Sequence, residues 1–426
     1  MRLVPRLICL FAITCSLAHA EVWEVDPGGG GDFITIQEAI VASAGGDEIR
    51  VHPGTYLEHI DYLGKDLYVH SLSGPAATII DGSGELGSCV SLRSGESLAA
   101  TLEGFTVSGG TGTSYSGHVY GGGILCVESQ CTIWDCVVVG NHAEHGGGLA
   151  LTNGCGAEVS GCHFVGNECD GYGGAVSLSY GFINLSECVF EANHSNLAVG
   201  GVSLGHHAQG EVTDCQFLGN SSPYVGGMTL GQATSQATVT RCWFEGNQSF
   251  DLNGGGLRVH EGTLFVIDCT FVNNHSGANG GGLVAYDGCF TSVSGCTFYG
   301  NGAEELGGNV YFGAGTHELS HCIIAHAAEG DGVYAPPSAE ITCCDAWANA
   351  GQNYSGISDP TGTDGNISVD PIFCEETEGD FTLRIDSPCA AENNPECGQI
   401  GAWGIGCEIP TPTRAATWGE VKALYR

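Results

Sequence analysis

The chain has 426 residues, of which 70 are glycine and only 14% are charged, which excludes a coiled coil and a charged disordered chain. Thirteen prolines without a three-residue glycine period exclude collagen, and a 42% hydrophobic share implies a buried core. The formal charge of −37, from 11 basic against 48 acidic residues, leaves nothing to neutralise phosphates and excludes non-specific nucleic-acid binding; it fits a self-repelling surface or divalent-cation binding.

Residues 1–20 read as a signal peptide. Arg2 and Arg6 precede an apolar stretch from Leu7 to Leu17, and Ala18-His19-Ala20 is a small-x-small cleavage site. The stretch is too short to span a membrane and no later segment reaches that length, so the sequence predicts an exported chain without a transmembrane segment. Residues 21–80 follow as an N-terminal cap and first coils. Within them, residues 35–44 predict a short amphipathic helix with Thr35 as N-cap, Glu38 three residues on, and Ile36, Ala39 and Ile40 on one face.

Residues 81–365 are dominated by a repeat. The pattern Cys-x-apolar-x-x-Asn recurs from Cys136, Cys162, Cys188, Cys215, Cys242, Cys269 and Cys296, with a degenerate copy at Cys322, in steps of 26 or 27 residues. Its asparagines are Asn141, Asn167, Asn193, Asn220, Asn247, Asn274 and Asn301. A second block of glycines followed by apolar residues begins at Gly146, Gly173, Gly200, Gly226, Gly254, Gly280 and Gly307. A third apolar position (Val159, Leu185, Val212 and their equivalents) precedes each cysteine by three. Short period-two runs separated by turn residues are strands, and three per unit stack into a right-handed parallel β-helix. Cys and Phe, two apart, then point inward, Asn occupies a bend as a residue tolerating left-handed dihedrals, and the glycines fill a crowded corner. The ladder cysteines read as small buried hydrophobes, because an apolar interior disfavours the thiolate that a metal requires.

Residues 366–407 break the period and read as a Cys-rich C-terminal cap. Cys374, Cys389, Cys397 and Cys407 are expected to form two disulfides among themselves, with connectivity open, and Cys131 and Cys155 are candidates to pair across neighbouring coils. Residues 408–426 are a Pro/Thr linker and a tail.

DF-x-TIQEAI followed by GDEIRVHPGTYLEHI resembles the opening segment of secreted proteins with the pectin-lyase-like right-handed β-helix. The Phe-x-x-Asn and Gly-Gly-apolar alternation, as in Phe164 to Asn167, resembles the repeats of bacterial polymorphic outer-membrane proteins. These resemblances imply a secreted or cell-surface protein of a Gram-negative bacterium, on a fold that hosts lyases, hydrolases, esterases and adhesins alike. The catalytic blocks of pectate lyases, polygalacturonases and pectin methylesterases do not occur in this sequence. Between Cys89 and Cys374 the basic side chains are Arg93, Arg241 and Arg258.

Register picks out one patch. With Leu257 and Val259 inward, Arg258 and His260 face solvent and Glu261 follows; in the next coil Tyr286 stacks on His260 and Asp287 on Glu261, and Tyr311 continues the Arg258 column. Ser177, Ser203 and Thr229 occupy that column earlier, with His206 and His207 near the turn. Glu261 and Asp287 can share a proton as a catalytic pair or bind Ca²⁺, or be two solvated carboxylates. Trp243, with Arg241 beside it, can stack on a sugar ring or be one exposed aromatic. Two functions are therefore expected: a non-catalytic surface that binds glycan, a cell surface or a protein, needing no cofactor unless calcium, or a polysaccharide-active enzyme.

Overall fold

A computed structural model describes residues 20–232, 234–286 and 288–408; the expected signal peptide and nearly all of the expected tail lie outside them. Strand Val22–Val25 pairs in parallel with Glu48–Val51, and helix Ile36–Ala42 packs Ile36, Ala39 and Ile40 into the start of the core. Thr35 Oγ1 accepts the Glu38 N–H at 3.2 Å. The Glu58 carboxylate takes the two N–H groups of Ile36 and Gln37 at 2.8 and 2.9 Å, so the donors of the first turn are satisfied from the coil below.

Past this helix the chain winds as a parallel β-helix with three faces. A 23-stranded A sheet contributes two segments per coil, a 12-stranded B sheet carries the Cys-x-Phe runs, and a 9-stranded C sheet follows the asparagines. Pairing between coils is parallel and in register, as in His163–Val165 on Val189–Glu191 on Gln216–Leu218. Hairpin Thr113–Tyr120 is the antiparallel exception within the coils.

The identical side chains stack. Phe217 lies 4.4 Å from Phe244 with rings 4° from parallel, and Phe244 to Phe271 and Phe271 to Phe298 are each 4.7 Å. Each ladder asparagine is fully buried and fully bonded: Asn193 gives its backbone N–H and Nδ2 to Asn220 Oδ1 at 3.0 and 2.9 Å, and Nδ2 also donates to the Phe164 carbonyl. The amide chain outlasts the repeat, passing from Asn301 to Asn309 and on to Asn349. One expectation is corrected here. The left-handed dihedral belongs to the residue before the asparagine (Gly166 at φ 58°, Ala192 at 51°, Gly219 at 59°), so asparagine is required for its side-chain ladder and not for its backbone. The ladder cysteines are buried, and burial raises the thiol pKa of Cys296 and Cys322 well above the ordinary value.

The C-terminal segment is not a lid on the end of the coils. Strands Phe373–Glu375, Asp380–Arg384 and Ile405–Cys407 form a three-stranded sheet that folds back along the flank, burying Phe381, Leu383 and Ile400 against Val272, Ile323 and Ala325 of the B sheet. Three consecutive residues tie three successive coils. Gly401 N–H reaches the His321 carbonyl at 2.8 Å, Ala402 N–H the Thr297 hydroxyl at 3.0 Å, and Trp403 Nε1 the Thr270 hydroxyl at 2.8 Å.

The disulfides differ from expectation. Cys374 pairs with Cys407, but Cys397 pairs with Cys343, and Cys389 is a buried thiol donating to Asp345 Oδ2 at 3.1 Å. In the neighbouring pair Cys343-Cys344, Cys344 turns into the core and Cys343, at φ 52°, turns outward to meet the returning segment. Cys131 and Cys155 are also free and buried. Register places Ala157 opposite Cys131, which leaves Cys155 two residues along the strand as well as one strand over. That geometry gives a Cα separation of roughly 8 Å, beyond disulfide reach.

Candidate functional site

On the outer face of the A sheet, Ser177, Ser203, Thr229, Arg258, Val284, Tyr311 and Tyr334 form one cross-coil column. Arg258 does not face solvent as expected. Its guanidinium carbon lies 4.9 Å from the centre of the Tyr224 ring and 5.0 Å from that of Tyr286, so the cation is held between two aromatic faces. Burial pulls its pKa below the ordinary arginine value. Arg50, Arg93, Arg241 and Arg384 all pair with carboxylates, whereas Arg258 has no such partner among the described residues. Its Nε and the neighbouring Thr229 Oγ1 are buried without a hydrogen-bond partner. The aromatic surface continues from Tyr286 to Tyr311 at 6.3 Å and from Tyr311 to Tyr334, stacked at 5.0 Å. Burial pushes the Tyr286 phenol up to about 12, so it stays neutral and hydrogen-bonding.

The other predicted residues divide between this face and another. Tyr180 stacks on His206 at 5.5 Å and lies 5.4 Å from His207. Gln232 bonds the His206 ring at 3.0 Å and gives its backbone N–H to the His260 carbonyl, and the His260 ring lies 5.7 Å from Tyr286. His206, His260, Tyr286, Arg258 and Tyr311 thus share one face. Glu261 is exposed beside it at φ 55°; Asp287, its expected partner, lies outside the described residues.

Trp243 and Arg241 belong to the B-sheet flank. Arg241 makes a bidentate pair with Asp214, 2.7 Å for each bond, in the neighbouring coil. Trp243 Nε1 donates to Glu245 at 2.8 Å, and its ring lies 5.9 Å from Phe381 of the returning segment. With Asp268 and Trp403 these residues line a cleft of about 420 Å³.

Sequence reasoning missed Tyr224 and Trp403, because Tyr224 sits in an irregular turn between the strands of its coil and Trp403 in the returning segment beyond the repeat. It also missed a cluster near the C sheet. Among the described residues, His118, Glu144 and His145 alone bring three ligand atoms within 4.8 Å of one another. Glu144 takes the His118 ring at 2.6 Å, which lowers its carboxyl pKa. His145 Nδ1 accepts the Tyr172 N–H at 3.3 Å, which leaves the proton of a neutral ring on Nε2, facing Glu144 3.7 Å away. A ring so protonated cannot ligate a metal through Nε2. Within the trio His118 and Glu144 are hydrogen-bonded, and His145 lies beside them at ion-pair distance.

Residues 122–298 match the family model described as a right handed beta helix region. Among solved structures, a pectate lyase is similar at 13% identity and TM-score 0.45, covering 91% of this chain and 96% of that one. A mannuronic acid specific polysaccharide family 6 lyase from human gut microbiota has 14% identity and TM-score 0.39, covering 95% and 99%. A pectin methylesterase from carrot has 12% identity and TM-score 0.33, covering 83% and 90%. None of these likenesses bears on what the chain binds. No curated protein matches the sequence. Among the described residues no helix is long and apolar enough to cross a membrane.

Proposed function

We propose that the chain is an exported, non-catalytic β-helix that binds glycan, adhesin-like, along the outer A-sheet face, with Arg258 engaging an acidic group on one sugar. The observation that carries this is Arg258 itself. In a chain with 48 acidic residues it is clamped between two tyrosine rings with no carboxylate partner among the described residues, and its buried Nε and the buried Thr229 hydroxyl beside it have no hydrogen-bond partner there. A buried cation is costly when unpaired, and an arriving carboxylate relieves that cost. The tyrosines along the column offer ring faces for sugars. The net charge of −37 disfavours polyanions as a whole, so the ligand is a chain with sparse acidic residues. The signal-like start and the repeats resembling polymorphic outer-membrane proteins support an extracellular setting.

A glycan array on the mature chain, with and without EDTA, tests this reading. Binding to glycans carrying an acidic sugar is expected, at least tenfold weaker in Arg258→Met and unaffected by EDTA. Equal binding by Arg258→Met would overturn the site. Product release that disappears in the Glu261→Gln/Asp287→Asn double variant would replace the reading with a polysaccharide-active enzyme. Loss of binding in EDTA would assign calcium a role.

A further inference from the structure

The cleft on the opposite flank is chemically unlike the Arg258 groove. Both of its indole N–H groups are engaged, that of Trp243 with Glu245 and that of Trp403 with Thr270, each at 2.8 Å. What the two rings offer is therefore their faces. Trp403 is 42% exposed although its nitrogen is anchored to the sheet, and Trp243 is held by Phe381. Rigid aromatic faces of this kind suit the C–H face of a pyranose. The charged lining is Arg241 with Asp214, Glu245 and Asp268, three carboxylates against one guanidinium, and Gln216 adds an amide. Arg241 is occupied by both oxygens of Asp214 and feels the Asp268 charge from its other side. The carboxylates can accept from sugar hydroxyls, whereas an anionic sugar would meet an excess of negative charge. A volume of about 420 Å³ lies within the range of small-ligand pockets.

We propose that this cleft is a second saccharide site, specific for an uncharged pyranose and created by the return of the C-terminal segment onto the B sheet. It stands independently of the Arg258 groove.

The test titrates the full chain with cello-, xylo-, manno- and galactotetraose while following tryptophan emission and the indole N–H signals of Trp243 and Trp403. At least one neutral tetraose is expected to shift both signals. Its binding should weaken at least tenfold in Trp403→Ala and measurably in Asp268→Asn, an exposed change that leaves the returning segment in place, and should be unchanged in Arg258→Met. Trp403→Phe, which keeps a ring, should retain most of the affinity. Three results would each overturn the proposal: no response to any of the four sugars, equal binding by Trp403→Ala and Asp268→Asn, or tighter binding of tetragalacturonate or chitosan tetraose than of every neutral sugar.

Discussion

The asparagine ladder and the Arg258 column both bury polar groups in a row along the coils, yet they end differently. At the ladder, Asn220 Oδ1 takes two donors from Asn193, and its own Nδ2 reaches the Phe190 carbonyl and Asn247 Oδ1, so every copy satisfies the next. At the Arg258 column the copies differ, running from serine and threonine to arginine, valine and tyrosine, and two buried polar atoms are left open. A column that closes its own hydrogen bonds holds the fold together. The Arg258 column does not close its own, and it is there that the proposed ligand would bind.

That contrast breaks first at the ladder. Asn220→Leu strands two buried donors of Asn193 and the Phe190 carbonyl, each worth about 1–3 kcal/mol, so a loss of roughly 5 kcal/mol is expected in denaturant unfolding. Conserved stability in that variant would show that the ladder is not structural. Next comes the bridge between the flank and the coil of Cys343: Cys343→Ser/Cys397→Ser opens a loop with sequence separation 54 and should lower stability by about 4 kcal/mol. Amide exchange is expected to rise in the returning segment before it rises at the ladder.

Asp345 gives an intermediate case, a buried carboxyl bonded to the Val369 N–H at 3.0 Å and to Cys389. Burial pushes its pKa up to about 6 from 3.8. The folded chain therefore holds this proton more tightly than the unfolded one. The resulting stabilisation is complete below about pH 3.8 and is lost as pH rises through about 6, a swing of roughly 3 kcal/mol. Asp345→Asn should flatten that part of the stability profile between pH 4 and 7; an unchanged profile would place the titration elsewhere. The smallest effect is expected at Arg258→Met, within about 1 kcal/mol of wild type, because it removes a half-buried cation that has no carboxylate partner among the described residues while keeping most of the packing. A large loss there would mean that the arginine serves the fold and not a ligand.

The repeat made the interior readable. Cys162, Phe164 and Asn167 recur at a spacing that only stacked coils satisfy, and their register fixed which of Arg258, His260 and Tyr286 point outward. It could not show that Arg258 is covered, since Tyr224 approaches from a turn whose equivalents elsewhere are Gly171 and Leu197. Nor could it find Trp403, which meets Thr270 across 133 residues of sequence. The disulfides were misread for a related reason: two adjacent cysteines, Cys343 and Cys344, look alike in sequence, and only the twist of their coil sends one inward and the other out. The asparagine dihedral was off by one residue because side-chain and backbone demands at a bend fall on neighbours.

Residues 401–403 act as a batten nailed across three rungs, with the Cys343–Cys397 bridge fastening the same strip to the coil after that of His321. Fraying from that end must lift the whole strip at once instead of peeling one turn at a time. At the opposite end, helix Ile36–Ala42 is tied to the first coils by side chains instead, Glu58 on its first turn and Lys65 Nζ on the carbonyls of Ile40, Val41 and Ser43, with no disulfide among the described residues there.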